Sequence, residues 1–317
     1  MAKPVFRTYR EGDEVAINRL FEEASGVVRS LDEWSWLYPP EADGRVIVVA
    51  ETGGEVVAHC AGTPLRVAVD ERELAAARID DLLSPAPGNE IAEQVVETFF
   101  DNFVFSGRFS LVVACRRSPD DAIPPGFDEA PSRELTALTR DRAPHLRVRR
   151  LLYRAELARD WEPRLDDLWH RVRQDYPVAV VRDAESALRR FAGHPRERYK
   201  RFLIFPRFSN QAVAFVVFRC DGRRCRWVDL LFDHAHPGAL ELAAHISARL
   251  VRQLDCTGEE LWLAGDEEAC SRLESLGFRP TERQPAVSMA IQSFDPEFDA
   301  TQVAESLYLT MADTGRV

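Results

Sequence analysis

Two adjacent carboxylates, Asp80 and Asp81, close the apolar run Leu74-Ala75-Ala76-Ala77-Arg78-Ile79, and a third, Asp229, stands before Leu230-Leu231 in the same way. A carboxylate at the end of a buried strand can act as a general base, so these three are the candidate catalytic residues. Strand-end carboxylates also serve as hydrogen-bonded structural groups, and the residue types alone leave both roles open. Downstream of Asp229, His234 and His236 lead through Pro237 into Gly238 and a helical stripe, where backbone N–H groups and imidazolium charge attract an anion. Asp233, His234, His236 and His245 match no standard metal spacing, so no metal is expected. The six cysteines form no CxxC pair and read as free thiols, and no Walker loop, GxSxG, HExxH or dinucleotide fingerprint is present.

These residues need elements to hold them. Asp13 precedes the helical stripe Ile17, Leu20, Phe21 and Ala24, and Ser30 with Glu33 caps a second helix. Strands are predicted at 46–51, 55–60, 65–69 and 74–83, then a helix through Ile91, Val95, Phe99 and Phe103, then a strand at 109–115. The Pro- and Asp-rich stretch 119–144 reads as a connection, which places a boundary near residue 145. Beyond it Leu165, Leu168, Trp169 and Val172 share a helix face, and Asp183 starts another helix. Strands at 201–205, 211–219 and 225–232, a helix at 237–254, a strand at 260–264 and a helix at 266–276 follow. All six tryptophans lie in apolar-patterned stretches and are expected in the core.

With 317 residues, 45% hydrophobic and 29% charged, the chain can bury the cores of two domains. No apolar run approaches a membrane span, and the start passes directly into charged sequence, so cytoplasmic residence is the expectation. Residues 1–145 hold 15 Lys or Arg against 26 Asp or Glu, while residues 146–317 hold 26 of each. The acidic half repels phosphate backbones and anionic lipid, which argues against nucleic-acid and membrane partners.

The two halves repeat one order of elements. Asp81-Leu82-Leu83 matches Asp229-Leu230-Leu231, 148 residues on, and Gly126-Phe127 matches Gly277-Phe278, 151 residues on. Spacings of that size mean two copies of a domain rather than a solenoid. The opening Phe6-Arg7-Thr8-Tyr9-Arg10-Glu11-Gly12-Asp13-Glu14 and the run Glu55-Val56-Val57-Ala58-His59 resemble the first strand and the second-to-third strand region of the GNAT acyltransferase superfamily. Arg182-Asp183-Ala184, Arg189-Arg190-Phe191, His194-Pro195 and Leu276-Gly277-Phe278 resemble the companion domain of bacterial tandem members.

The resemblance implies an α/β (α+β) fold of two GNAT-like domains, 1–145 and 146–317, each a mixed, mostly antiparallel twisted sheet flanked by helices. It also implies acetyl-CoA or another acyl-CoA as cosubstrate. In that family, loop amides at a helix N-terminus hold the pyrophosphate, and pantetheine pairs with exposed backbone between the splayed fourth and fifth strands. The cofactor-binding positions carried over are Leu82, Leu83 and Ala92 in the first half and Leu230, Leu231, His236 and Gly238 in the second. Transfer itself is mostly proximity.

The loop departs from the family pattern. Of Arg/Gln-x-x-Gly-x-Gly/Ala, the stretch Pro87-Gly88-Asn89-Glu90-Ile91-Ala92 keeps only Ala92; Pro87 removes a donor and Glu90 puts a negative charge where phosphate would approach. No tyrosine between Arg116 and Gly126 can protonate a leaving thiolate. The second copy, Ala235-His236-Pro237-Gly238-Ala239-Leu240, keeps the central glycine and has His234, His236 and basic residues from Arg189 to Arg207 nearby, so anion binding is expected to be easier there. The functional expectation is an N-acyltransferase that moves an acyl group, such as acetyl, to an amine of a small acceptor. The acidic first half favours a cationic one. The alternative is a GNAT-fold ligand-binding or interaction protein with an eroded coenzyme loop.

Overall fold

A computed structural model describes residues 3–40, 44–84, 90–116, 124–141, 152–281 and 287–315. The first stretch forms β1 (Val5–Thr8), α1 (Asp13–Ser25), α2 (Leu31–Leu37), β2 (Ile47–Thr52), β3 (Glu55–Val69), β4 (Arg72–Leu83), α3 (Glu90–Phe99) with a π-turn through Val104, β5 (Leu111–Arg116), β6 (Ser132–Glu134) and β7 (Thr136–Asp141). The remainder forms β8 (Tyr153–Leu157), α4 (Arg164–Val172), β9 (Val178–Val180), α5 (Ala184–Phe191), β10 (Lys200–Pro206), β11 (Ala214–Cys220), β12 (Arg224–Phe232) and α6 (Gly238–Gln253). Then come β13 (Gly258–Ala264), α7 (Glu267–Ser275), β14 (Arg279–Pro280), β15 (Ser288–Ser293), α8 (Ala300–Ser306) and β16 (Leu307–Thr310). Side-chain caps start the helices where the sequence places them: Ser30 accepts from Glu33 N, Asp183 from Ser186 N, and Asp266 from Ala269 N.

The strands build one continuous sheet with two arms of equal order. The first arm runs β1-β2-β3-β4-β5-β15-β6, the second β8-β10-β11-β12-β13-β7-β14. In each arm the fourth and fifth strands are parallel and every other neighbour is antiparallel. The sixth place in each arm is taken by a strand from the other half of the chain. β15 pairs with β5, and β7 pairs with β13 over Thr136–Asp141. The stretch expected to be a mere connection therefore holds β6 and β7, and residue 145 itself lies outside the described residues. β9 and β16 join the arms, pairing with β3 on one side and β13 on the other.

The expected strands at 55–60 and 65–69 are one strand, β3. Residues Gly62, Thr63 and Pro64 make no turn because they stay in register with Ile79, Arg78 and Ala77. A Cβ on Gly62 would stand 3.0 Å from the Phe99 ring of α3, closer than side chains normally pack, so glycine lets the two elements approach. Apolar side chains cover both faces of the first arm. Val95, Val96 and Phe99 pack one face against Val48, Ala58 and Ala77, and Ile17 and Trp34 pack the other against Ile47 and Val49. A separate cluster with Val67, Leu111, Val180, Trp262, Leu307 and Met311 welds the arms together, each fully buried side chain contributing about 1.5–3 kcal/mol. Four tryptophans are buried as expected, but Trp161 is exposed and Trp36 faces a cavity. Among the described residues no helix is long and apolar enough to cross a membrane.

Candidate functional site

β4 follows β5 only from Ala76 to Ile79. Asp80 is then an extra residue opposite the Ala61–Gly62 step of β3, and β4 continues through Asp81, Leu82 and Leu83 without β5. Such a bulge bends its strand and sharpens the local twist, which opens a V between the fourth and fifth strands. The second arm does the same 148 residues later: pairing with β13 ends at Trp227, and Val228 is the extra residue opposite the Val217–Phe218 step of β11. The bulged positions, 80 and 228, match in the alignment read from Asp81 and Asp229.

The second V is occupied by the chain itself. Leu309 and Thr310 of β16 pair with Ala264 and Leu263. The Tyr308 hydroxyl donates to the Leu230 carbonyl, and the Tyr176 hydroxyl donates to the Phe232 carbonyl at 2.9 Å and accepts from Phe232 N at 3.3 Å. Alternate residues of a strand turn their backbone groups to the same side, so Leu230 and Phe232 present one edge of β12 to the V. Burial pushes both phenols well above the ordinary value, so they remain protonated donors.

Asp229 sits in the same closed region. It accepts from Arg182 Nε at 3.0 Å, Thr310 Oγ1 at 2.8 Å and its neighbour Leu230 N at 3.0 Å. Arg182 also reaches Asp313, whose other oxygen accepts from Arg190 Nη2 at 2.7 Å. Burial opposes ionisation of Asp313, but Arg182 and Arg190 together hold its carboxyl below the usual range. Leu230 and Leu231 are core residues.

The start of α6 is also engaged. The Asp233 carboxylate accepts from Ala235 N at 3.0 Å and its carbonyl from His236 N at 2.8 Å. A Cβ on Gly238 would stand 2.7 Å from the Tyr153 ring, so the glycine admits a tyrosine rather than a phosphate. His236 is half-buried, 3.4 Å from the Tyr153 hydroxyl. The basic residues expected to help this helix lie elsewhere: Arg189 and Arg190 line the cavity described below, and Arg196 pairs with Glu33 at 3.1 Å.

His234 Nε2 lies 3.1 Å from the buried carboxylate of Asp266, which raises the imidazole's pKa against the opposing effect of burial. A pKa raised in the folded state stabilises below the unfolded value and loses that contribution as pH climbs through the folded one. The urea midpoint is expected to fall between about pH 6 and about pH 8, and His234→Gln to flatten that fall. An unchanged slope in the variant would remove His234 as its source.

In the first arm Asp80 accepts from Arg78 Nε at 2.6 Å and from the Thr63 hydroxyl. Burial works against the Arg78 charge, yet Asp80 beside it holds the guanidinium above its usual value. Asp81 is buried and accepts from Arg29 Nη1 at 2.6 Å. Leu82 and Leu83 are half-buried along the bent end of β4, and Ala92 is buried in the first turn of α3. Pro87, Gly88 and Asn89 lie outside the described residues; Glu90 opens α3 and is exposed.

A cavity of about 800 Å³ adjoins this bend. Its walls come from α1, α2 and their connection (Phe21, Trp36, Arg29), β3 and β4 (Thr63, Arg66, Arg78) and α5 with the loop after it (Arg190, Phe191, Tyr199), with Ala312 and Gly315 alongside. Gly315 has φ +89°, and a Cβ there would stand 2.9 Å from Asp80 Oδ1. Asp80 thus touches Thr63, Arg78 and Gly315, three residues of the cavity wall. Arg29, Arg78, Thr63 and the segment 307–315 were not singled out from the sequence. Arg78, two residues before Asp80 on one strand, was the available signal; segment 307–315 carries no motif.

No protein-family model matches the sequence, and no curated protein matches it. Solved structures do. A GCN5-related N-acetyltransferase from Anabaena variabilis is similar at TM-score 0.70 and 10% identity, covering 92% of this chain and 73% of that one. A probable N-acyltransferase from Enterococcus faecalis gives 0.69 at 10% identity, covering 95% and 74%. The N-myristoyltransferase of Saccharomyces cerevisiae, solved with myristoyl-CoA and inhibitors, gives 0.62 at 10% identity, covering 92% and 80%. With the bulged fourth strand and the parallel fourth and fifth strands in both arms, these likenesses establish that the chain has the GNAT fold across nearly its whole length.

Proposed function

We propose that the protein is an acyl-CoA-dependent N-acyltransferase whose first arm takes the thioester between β4 and β5 and whose cavity takes a small amine. The observation that carries this reading is the asymmetry of the two openings. The second is filled by β16 and two tyrosine hydroxyls, while the first adjoins the 800 Å³ cavity at Asp80. Placing the thioester beside the amine supplies most of the rate. Asp80 stands directly behind Thr63 and Arg78 of the wall, and it receives the amine's proton through the Thr63 hydroxyl that donates to it. Asp81, engaged by Arg29, holds the α1–α2 connection to the sheet, and Asp229, engaged by Arg182 and the Thr310 hydroxyl, holds segment 307–315.

Calorimetric titration with acetyl-CoA and thiol release in the presence of amines test this. Binding is expected in the micromolar to millimolar range typical of such substrates, and Asp80→Asn is expected to lower turnover about a hundredfold with binding retained. Absence of acetyl-CoA binding at millimolar ligand would end the proposal. A second reading, ligand binding without transfer, is favoured by Glu90, whose exposed carboxylate opens α3 and repels phosphate. Acceptor binding without acetyl-CoA binding would select it.

A further inference from the structure

Three of the six cysteines, all free thiols, meet at one end of the second arm. The antiparallel register of β11 and β12 sets Cys220 directly opposite Cys225, and Cys256, between α6 and β13, reaches the Cys220 thiol from the adjoining loop. The Asp221 N–H donates to the Arg224 carbonyl at 3.4 Å, so 221 and 224 are the hydrogen-bonded pair that closes this hairpin. Opposed residues alternate along an antiparallel ladder, and Cys220 and Cys225 are therefore a non-hydrogen-bonded pair, whose Cα atoms stand about 4.5 Å apart. A disulfide spans Cα separations of about 4.4–6.8 Å, so the bond can form on the folded hairpin.

The two thiols differ in access. Cys225 is fully buried in the core of the second arm, whereas Cys220 is half-buried at the edge of that core. An oxidant arriving from solvent meets Cys220 first. Hydrogen bonding from Cys225 holds the Cys220 thiol below its ordinary value against the effect of burial, with Cys256 and the Lys200 charge adding to it, and Cys225 is pushed up in turn. Thiolate character is thus concentrated on the sulfur that solvent reaches, with a thiol held beside it.

We propose that Cys220 and Cys225 form a reversible oxidation site for peroxides, with Cys220 as the attacking sulfur and Cys225 as the resolving one. The Cys220 thiolate attacks one oxygen of hydrogen peroxide, the O–O bond breaks, and the departing hydroxide takes up the proton that Cys220 lost. Cys220 is then a sulfenic acid. The Cys225 sulfur attacks the Cys220 sulfur, the S–O bond breaks, and a second water leaves with the Cys225 proton. Two thiols give up two electrons and two protons in all, and one peroxide becomes two waters.

The folded full-length chain is treated with a small excess of hydrogen peroxide, its remaining thiols are blocked, and it is digested with trypsin. Cleavage after Arg219, Arg223, Arg224 and Arg226 puts Cys220 and Cys225 on separate short peptides and Cys256 on a third. The first two are expected to appear joined and to separate on reduction with dithiothreitol. Before oxidation, iodoacetamide is expected to label Cys220 at least about tenfold faster than Cys115 or Cys270, which are also half-buried. Cys220→Ser is expected to leave Cys225 reduced under the same treatment. Cys256→Ala is expected to retain the joined product, and melting curves verify that both variants are folded. Both thiols staying free, Cys220 joined to Cys256 instead, a sulfinic acid on Cys220 beside a free Cys225, or joining only after unfolding in urea overturns the proposal. The site is independent of the transferase reading, since none of these measurements involves acetyl-CoA or an amine.

Discussion

Arg182→Met is expected to lower the unfolding free energy by about 3–5 kcal/mol, because it strands two buried carboxylates. Arg182 is 1% exposed and lies between Asp229 and Asp313, which are equally buried. Arg190 remains as a partner, and its 2.7 Å bond to Asp313 keeps the loss from being larger. Two aspartates against two arginines make the cluster neutral, so removing one guanidinium leaves an uncompensated negative charge in a low-dielectric space. Urea denaturation monitored by far-UV circular dichroism gives the number; a loss below about 1 kcal/mol would mean that water reaches the cluster. The acid limb follows from Asp313, whose carboxyl is held below the ordinary range in the folded state. A depressed folded value contributes stability above the unfolded pKa and loses it as pH falls through the folded one. In the parent protein this contribution should hold down to about pH 4 and disappear below it.

Tyr308→Ala is expected to cost about 3–5 kcal/mol and Tyr308→Phe about 1–3 kcal/mol. The alanine variant removes a fully buried ring whose centroid lies 4.5 Å from that of Tyr176 and leaves a cavity where β16 fills the second V. The phenylalanine variant keeps the ring and strips only the hydroxyl from the Leu230 carbonyl, which no water can then reach. The gap between the two variants measures the filling of the V separately from the capping of the strand edge. If acetyl-CoA uses the first arm, its affinity should be the same in Tyr308→Phe as in the parent chain. Altered affinity would shift attention to the second arm. Equal losses in the two variants would show that the ring itself fills no space that matters.

Much of the scaffold was legible because it is written in local chemistry. Ser30, Asp183 and Asp266 cap the helices expected of them, and the 3.6-residue stripes of α1, α4 and α6 are the buried faces. The duplication was legible too, since Asp81-Leu82-Leu83 and Asp229-Leu230-Leu231 directly follow corresponding bulges. The preference for the second half as the anion site was not upheld by geometry. Net charge describes a whole half-chain, whereas Asp233, Tyr153 and Tyr308 occupy that site one atom at a time. The expected cationic acceptor rests on the total charge of the first half, which does not specify the side chains that line a cavity.

By itself the amino-acid sequence determined helices α1 to α7 and strands β2, β4, β5 and β10 to β13, where the fourth strand ends in acids, and that one order of elements recurs. Each of these depends on side chains within a turn or two of one another. Only the tertiary structure decided that β7 and β15 cross to the opposite arms, that β16 fills one V while a cavity adjoins the other, and that Arg29, Arg182 and Arg190 meet the acids. Those outcomes depend on pairing between distant residues, such as Arg29 with Asp81, 52 positions on, and Arg78 with Asp313, 235 positions on. Strand register and buried charge pairing are properties of the assembled sheet, and no local pattern encodes which distant edge a short strand will complete.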